Sequence, residues 1–520
     1  MAIKKKLPIG IQNLREMREE GYYYVDKTEF AHRLIKEGKY YFLSRPRRFG
    51  KSLFLDTLKE IFEGNEGLFA GLYIHDKWEW NKKHPVIRVS FSDGVLKSRQ
   101  ELDVRIGDIL EQNAKLFGVR LEAPDIAGKL RELIEDVRRL RGAGVVVLID
   151  EYDKPILDNI EDDKVAAEMR EGLKNLYSVL KGADPHLKFV MLTGVSKFSK
   201  VSLFSGLNNL KDITLDGMYS AVCGYTESDL DTVFGGELEG KDRGKVREWY
   251  NGYNWLGEAV YNPFDILLFL DSGQFKPYWF ETGTPTFLIK LLRERETWLP
   301  GLDQSYASEK LLSTFDVGNI PTEALMFQTG YLTIDKEEKF SGESKITLKF
   351  PNREVYQSLF DTLLMDLTQQ TSRVVESRYK LWGLLQKNDI AGMGKLLTAF
   401  FAGIPYQWHA RNNIAEYEGY YASVFYAYFA SLGLDIAVEE SSCAGRLDMA
   451  VRFNGHVYIF EFKVVDLEAE GRALEQIKAG GYAEKYRVSG QPIHQIGVEF
   501  SREKRQVVGF EEETLGDKEV

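Results

Sequence analysis

The chain has 520 residues, 44% hydrophobic and 28% charged, the balance of an ordinary soluble globular protein and too long for one compact core; about three domains are expected. A net charge of -11 and a pI near 5.4 exclude a protein that coats nucleic acid nonspecifically, because phosphate neutralisation supplies that kind of affinity. The only cysteines, Cys223 and Cys443, stand alone, which excludes a disulfide framework or a cysteine-built metal site.

The longest apolar runs, such as Val145–Ile149, are strand-sized and far short of the roughly 20 residues that cross a bilayer. No apolar stretch follows Met1-Ala2-Ile3-Lys4-Lys5-Lys6, so neither a signal peptide nor a membrane partner is expected, and a reducing cytoplasm is the expected compartment. Any contact with DNA or RNA has to be local, made by a basic patch or bridged by a metal ion.

From about Tyr40 to Ser196, short apolar runs alternate with longer amphipathic stretches, the pattern of βαβ units and a parallel sheet with helices on both faces. The first expected strand, Tyr40–Leu43, runs directly into Ser44-Arg45-Pro46-Arg47-Arg48-Phe49-Gly50-Lys51-Ser52 and then into a helix over Ser52–Glu63. Strand, tight loop ending Gly-Lys-Ser, and helix are the setting of a phosphate-binding P-loop. The loop's backbone N–H groups, those of Arg47, Arg48, Phe49 and Gly50 among them, then face phosphate oxygens, and Gly50 lets the backbone come close. Lys51 would neutralise the terminal phosphates, and the Ser52 hydroxyl would ligate Mg²⁺. One departure stands out: the first glycine of GxxxxGK[ST] is Arg45, and a basic loop opening an ordinary helix is the plainer alternative.

Further strands are expected at Val86–Phe91, Val145–Ile149 and Phe189–Thr193, with helices at Gln100–Phe117, Ile126–Leu140 and Asp163–Lys181 between them. The Val145–Ile149 strand ends in Asp150-Glu151. A carboxylate at a strand's C-terminal edge, beside the P-loop strand, can hold the water shell of Mg²⁺, and Glu151 can orient the attacking water as general base. The plainer alternative is an acidic strand end that caps the next segment. Loop and acids together, in this order, point to ATP or GTP; Thr193 and Ser196-Lys197, ending the next strand, are placed as a γ-phosphate sensor.

After about Tyr225 the strands thin out into mainly helical sequence rich in aromatics, ending near Asn352, with a helical connector beyond. The expected boundaries are a P-loop domain over 1–225, a helical or winged-helix-like domain over 226–352, a connector over 353–395 and a third domain over 396–520.

That third domain carries the sharpest local geometry. Arg446-Leu447-Asp448-Met449-Ala450-Val451-Arg452-Phe453 and His456-Val457-Tyr458-Ile459-Phe460-Glu461-Phe462-Lys463 flank Asn454-Gly455, a hairpin signal for a type I′ turn. In such a hairpin Asp448 directly opposes Glu461, and Arg446 opposes Lys463 on the same face. Two carboxylates about 4.5–5.5 Å apart at Cβ repel unless a cation sits between them, and a hard divalent ion such as Mg²⁺ fits. Lys463 can activate the attacking water and stabilise a phosphorane-like transition state. Glu418, on the preceding aromatic helix, is a further metal ligand, and Gln476, on the following helix, a supporting catalytic position. The plainer alternative is a surface hairpin in which Lys463 screens two acids.

Taken together, these residues resemble a known family. Tyr22-Tyr23-Tyr24-Val25-Asp26-Lys27-Thr28 and the Arg-Pro-Arg-Arg-Phe-Gly-Lys-Ser loop are similar to blocks of bacterial and archaeal AAA-ATPase-like proteins fused to a PD-(D/E)XK nuclease domain. So are Leu192-Thr193-Gly194-Val195-Ser196-Lys197, Tyr261-Asn262-Pro263 and Gln328-Thr329-Gly330-Tyr331-Leu332, and at the other end Gly445-Arg446-Leu447-Asp448, Glu461-Phe462-Lys463 and Glu475-Gln476-Ile477. The resemblance implies that Arg45 is normal for the loop, that Lys51 and Ser52 carry nucleotide and Mg²⁺, and that Asp150 and Glu151 are the Walker B pair. It likewise implies a nuclease core of Asp448, Glu461 and Lys463, with Glu418 and Gln476 supporting it. The expected whole is an α/β protein: an ASCE-type P-loop sheet, a helical or winged-helix-like middle, and a C-terminal restriction-endonuclease-like domain. Its expected cofactors are ATP and Mg²⁺, its expected partner nucleic acid, DNA first, with a homo-oligomer left open. The rival expectation is a nucleotide-driven switch whose nuclease-like domain binds nucleic acid or protein without cutting.

Overall fold

The computed structural model describes residues 5–197, 203, 207, 209–283, 286–295, 297, 299–312, 320–341, 343–368, 371–403, 418–442, 445–488, 490–504 and 506–515; within these, the side chains of 282–283, 286–287, 294, 340, 371, 418–420, 439–442 and 445–448 lie outside the description. The chain gathers into two compact units, one formed by 1–287 with 304–352 and the other by 288–303 with 353–520.

The first unit opens with α1 (Leu14–Glu19), α2 (Thr28–Glu37), β1 (Tyr40–Ser44) and α3 (Lys51–Phe62). There follow β2 (Val86–Ser90), α4 (Arg99–Phe117), α5 (Ile126–Arg141), β3 (Val145–Asp150), α6 (Lys154–Leu157), α7 (Asp163–Gly182), β4 (Leu187–Gly194) and β5 (Lys211–Asp212). The strands form one parallel sheet in the order β2-β3-β4-β1-β5. β1 and β3 are buried at every position, which is why they read as unbroken apolar runs rather than as an alternation.

The helix ends follow local chemistry. Ser98, Asp125 and Asp162 accept hydrogen bonds from the first-turn N–H groups of α4, α5 and α7, and α4 and α5 stop where Gly118 and Gly142 turn left-handed. One expectation needs correction: β3, which carries Asp150, is not the neighbour of the P-loop strand. β4 lies between them, pairing with β1 on one side and β3 on the other. The two βα edges therefore meet across an inserted strand, and the residues at its end become part of the site.

The rest of this unit comprises α8 (Glu227–Phe234), α9 (Arg243–Tyr250), α10 (Pro263–Ser272) and α11 (Tyr278–Gly283), with α12 (Thr286–Glu294) spanning the division between units. Beyond it come β6 (Tyr306–Ser308), α13 (Glu309–Leu312), α14 (Thr322–Thr329), β7 (Thr333–Phe340) and β8 (Glu343–Lys349), with β8 central in an antiparallel sheet. Strand, two helices and a hairpin in this order make a winged-helix-like arrangement. Its second helix does not resemble a groove-reading one, because Ala324, Leu325, Met326, Phe327 and Gln328 are all buried. The helices α8 to α10 pack their Leu230, Phe234, Val246, Tyr250, Ile266 and Leu270 into a cluster that also takes Val25 and Leu7 of the N-terminal segment.

The second unit contains α15 (Arg353–Thr368), α16 (Thr371–Gln386), α17 (Ile390–Ala402), α18 (Glu418–Ala430), β9 (Asp435–Ser442), β10 (Gly445–Phe453) and β11 (His456–Val465). It closes with α19 (Arg472–Ala479), α20 (Glu484–Arg487), β12 (Ile493–Ser501) and β13 (Val507–Leu515). The sheet order is β13-β12-β11-β10-β9, antiparallel except between β11 and β12, where α19 forms the crossover. Asn454 and Gly455 both have positive φ, 49° and 78°, as the two-residue turn requires. One face of the hairpin is covered by α18, whose Phe425 ring lies 5.1 Å from Phe460 and 4.8 Å from Phe462. The other is covered by Leu474 and Ile477 of α19, which meet Ala450, Val457 and Ile459. β11 is thus a central strand buried on both sides, not one strand of a surface hairpin.

Candidate functional site

In the first unit the loop after β1 reaches α3 through two left-handed residues, Arg48 (φ 67°) and Gly50 (φ 90°). A Cβ at Gly50 would meet nothing within 4 Å, so the space in front of the helix N-terminus is open, and unpaired first-turn N–H groups face it. Such an end attracts anions. Lys51 sits at the first position of α3, 7% exposed, and its amine donates to the Arg45 and Pro46 carbonyls at 2.9 and 2.8 Å. Burial pushes its pKa below the ordinary value, and the Asp150 carboxylate is the strongest of the charges opposing that shift.

Asp150 ends β3, and its Oδ1 accepts from the Thr193 hydroxyl at 2.7 Å and from the Glu151 N–H at 3.0 Å. Thr193 is fully buried behind that carboxylate. Its hydroxyl thus ties the end of β4 to the acid that ends β3. Glu151 has φ 51° and lines the cleft, and burial, with Asp150 beside it, raises its pKa. Lys197 is drawn into an ion pair with Asp212 of β5.

The phosphate loop, Lys51 and Glu151 open on a cleft of about 540 Å³. Arg47, Arg48, Phe49, Gly50, Lys51 and Ser52 line one end, with Glu151 and Asp153 beside them. Pro8, Ile11, Val25, Phe264 and Leu267 line the apolar remainder. The N-terminal segment is fixed there by the acids of α3: Asp56 accepts from the Leu14 N–H at 2.8 Å, and Glu60 pairs with Arg15 at 3.0 Å. A phosphate-seeking end joined to an apolar slot is the chemistry a nucleotide needs.

The structure gives Arg45 a role the sequence did not disclose. It is 1% exposed and donates to Ser44, Thr214 and Tyr219 carbonyls at 2.8, 3.0 and 3.0 Å, while Trp255 stacks 4.1 Å from its guanidinium carbon. Burial brings its pKa down to about 10. Phe49 enters the same aromatic group edge-on to Tyr253 and Trp255, and the Trp279 indole donates to the Arg47 carbonyl at 3.1 Å. The loop is therefore braced from outside by the segment that follows the sheet. Arg45→Gly, which restores the residue most such loops carry, is expected to destabilise the unit by about 3 kcal/mol or more, because buried carbonyls lose a charged donor. Denaturant unfolding against the unaltered chain measures it.

In the second unit the observed register pairs Met449 with Phe460 and Phe453 with His456, as the Asn-Gly turn demands. Continued by one step, it sets position 448 opposite 461. The side chains of Asp448 and Glu418 lie outside the described residues, although both positions belong to β10 and α18. Glu461 is 1% exposed, and its Oε1 lies 3.5 Å from the Lys463 amine. A carboxylate on a central strand, excluded from water and next to one ammonium group, is a donor suited to a divalent cation. Gln476 is half-buried on α19. Among the described residues no three His, Cys, Asp or Glu side chains gather as a metal site. Glu499 of β12 holds the start of α19, accepting the N–H groups of Glu470, Gly471 and Ala473 at 2.5, 3.1 and 3.2 Å. Its only sequence signal was a lone acid in an apolar strand.

Fold and matches together define the class. A family model described as a predicted AAA-ATPase matches residues 8–204, and one described as the PD-(D/E)XK nuclease superfamily matches residues 416–510. The chain belongs to the AAA-ATPase-like proteins fused to such a nuclease-superfamily domain. A full-length relative from Azotobacter chroococcum mcd 1, described as an uncharacterized protein in the vnfD 5′ region, is 56% identical over 514 residues, covering 99% of this chain and 100% of its own. No described helix is long and apolar enough to cross a membrane.

Proposed function

We propose that the chain is an ATP-hydrolysing P-loop protein coupled to a Mg²⁺-dependent nuclease that cuts phosphodiester bonds, working in the cytoplasm on nucleic acid, DNA first. The expected division into 1–225, 226–352, 353–395 and 396–520 is kept as a proposal about function. In this reading the Gly50-Lys51-Ser52 loop holds the phosphates, Ser52 and Asp150 hold Mg²⁺ through oxygen, and Glu151 orients the water. Asp448, Glu461 and Glu418 supply oxygen ligands in the C-terminal domain, Lys463 the cation beside the reacting phosphate, and Gln476 a supporting contact. A bound divalent ion would supply Lewis-acid stabilisation of the phosphate oxygens. The chain's own part is to place carboxylates and one ammonium group on a rigid, water-poor strand.

The observation that supports cutting best is the buried Glu461 beside Lys463 on a central strand, an expensive placement for a merely structural acid. The second reading, a nucleotide switch that binds without cutting, draws on the net charge of -11. Incubating the full chain with plasmid, single-stranded DNA and RNA, with and without Mg²⁺ and ATP, separates the two. Metal-dependent cleavage supports the first reading, and retention without cleavage supports the second.

A further inference from the structure

Resting on the ATP-hydrolysing reading above, we propose that Asp153 is a positioning residue that latches the end of β4 and so fixes the stance of Glu151 when bound ATP is hydrolysed. Asp153 is 1% exposed, three residues beyond Asp150. Its Oδ2 accepts from the Ser196 N–H at 2.6 Å, the Ser196 hydroxyl at 2.5 Å and the Val195 N–H at 3.1 Å. Those donors belong to the residues just past β4, and Val195 lines the cleft.

The neighbours of Asp153 repeat the connection. The Tyr152 N–H donates to the Thr193 carbonyl at 3.1 Å and its hydroxyl to the Ser196 carbonyl at 3.0 Å. A Cβ at Gly194 would collide with the Asp153 carboxylate and with the Tyr152 ring at 2.6 Å, so the two segments touch as closely as a glycine permits. From the opposite side, the Arg45 N–H donates to the Gly194 carbonyl at 3.1 Å, and the Ser44 hydroxyl donates to the Val195 carbonyl. Beyond, the Lys197 N–H reaches the Gln328 side-chain oxygen on α14 at 2.9 Å. The end of β4 is thus held between the acidic turn and the phosphate loop.

Glu151 sits between the two anchored acids, Asp150 with Thr193 behind it and Asp153 with Ser196. A glutamate with φ 51° is uncommon and persists only where its surroundings over-determine it. Releasing Asp153 frees Glu151 to relax into a commoner conformation, away from the water it has to orient. The phosphate loop touches the end of β4 but keeps supports of its own, Arg45 on the Thr214 and Tyr219 carbonyls and Lys51 on the Arg45 and Pro46 carbonyls, so binding stays while turnover falls.

Asp153→Asn keeps the shape but removes the charge and leaves one acceptor oxygen where there were two, Oδ1 also accepting from the Val195 N–H at 3.3 Å. It is expected to lower kcat for ATP by at least about tenfold while Kd for a fluorescent ATP analogue stays within about twofold. Amide exchange at Val195 and Ser196 should speed up by about tenfold or more. Ser196→Ala, which removes the hydroxyl donor alone, should give a smaller loss of the same kind, and Asp153→Glu should not rescue. A wild-type rate in Asp153→Asn, or a Kd weakened by the same factor as kcat, overturns the latch. If Asp153→Asn fails to fold, Ser196→Ala decides on the same two readouts. Lys51→Ala is measured alongside. Unchanged ATP affinity there, or no turnover by the wild-type chain, removes the nucleotide reading and the latch with it, whereas normal Lys51 behaviour beside an indifferent Asp153→Asn removes the latch alone.

Discussion

Lys51→Ala is expected to weaken ATP binding by about 100-fold or more, the loss of a charge-assisted contact of about 3 kcal/mol. Isothermal titration with a non-hydrolysable ATP analogue reads it directly. The argument rests on where the amine lies. It is buried at the first turn of α3, tied to two loop carbonyls, with Asp150 the acid that most favours its charged form. Neither carbonyl is anionic, so a polyphosphate entering the open space before Gly50 is a better partner than the present ones. The alternative, a lysine that merely closes its own loop, predicts a different pattern: stability falls, while the affinity of the folded fraction stays. Comparing the unfolding midpoint with the titration tells the two apart, and undiminished affinity would end the nucleotide assignment.

The parallel sheet and the hairpin were legible because their signals are local. Buried parallel strands print as apolar runs, so β1 to β4 fall within a few residues of the expected Tyr40–Leu43, Val86–Phe91, Val145–Ile149 and Phe189–Thr193. Asn454-Gly455 fixes a register by turn geometry alone, and the observed pairing follows it. What sequence could not show is order in space. The insertion of β4 between β1 and β3 is a long-range choice, and it brings the Thr193 hydroxyl against Asp150.

Arg45 was misleading for a related reason. Read along the chain it replaces a glycine; in three dimensions its guanidinium serves carbonyls of Thr214 and Tyr219, more than 160 positions away. The surface hairpin that stood as the plainer alternative is ruled out by α19, which no local signal placed against this face. That helix covers Ala450, Val457 and Ile459, so Glu461 ends an apolar row. Short, strongly patterned segments announce themselves, whereas buried polar groups with distant partners do not.

That burial carries the second large effect expected. Glu461→Gln and Lys463→Ala should each lower Mg²⁺-dependent cleavage by about 1,000-fold or more, with ATP affinity unchanged, and chelation of divalent ions should abolish cleavage in the parent. Gel assays on plasmid with matched ATP titrations check all of these. Gln is nearly isosteric with Glu, so the variant removes charge from a 1% exposed site without opening a cavity. If Glu461 were a structural acid paired with Lys463, neutralising it would lower stability, because one partner of a buried pair is lost, while cleavage by the folded fraction would persist. If Glu461 binds a cation, the same change removes a ligand and leaves the fold intact. Asp448→Ala, one register step beyond the observed Met449–Phe460 pair, should behave as Glu461→Gln does. Loss of cleavage in Glu461→Gln with full cleavage in Asp448→Ala would show a site built on one carboxylate rather than on the opposed pair.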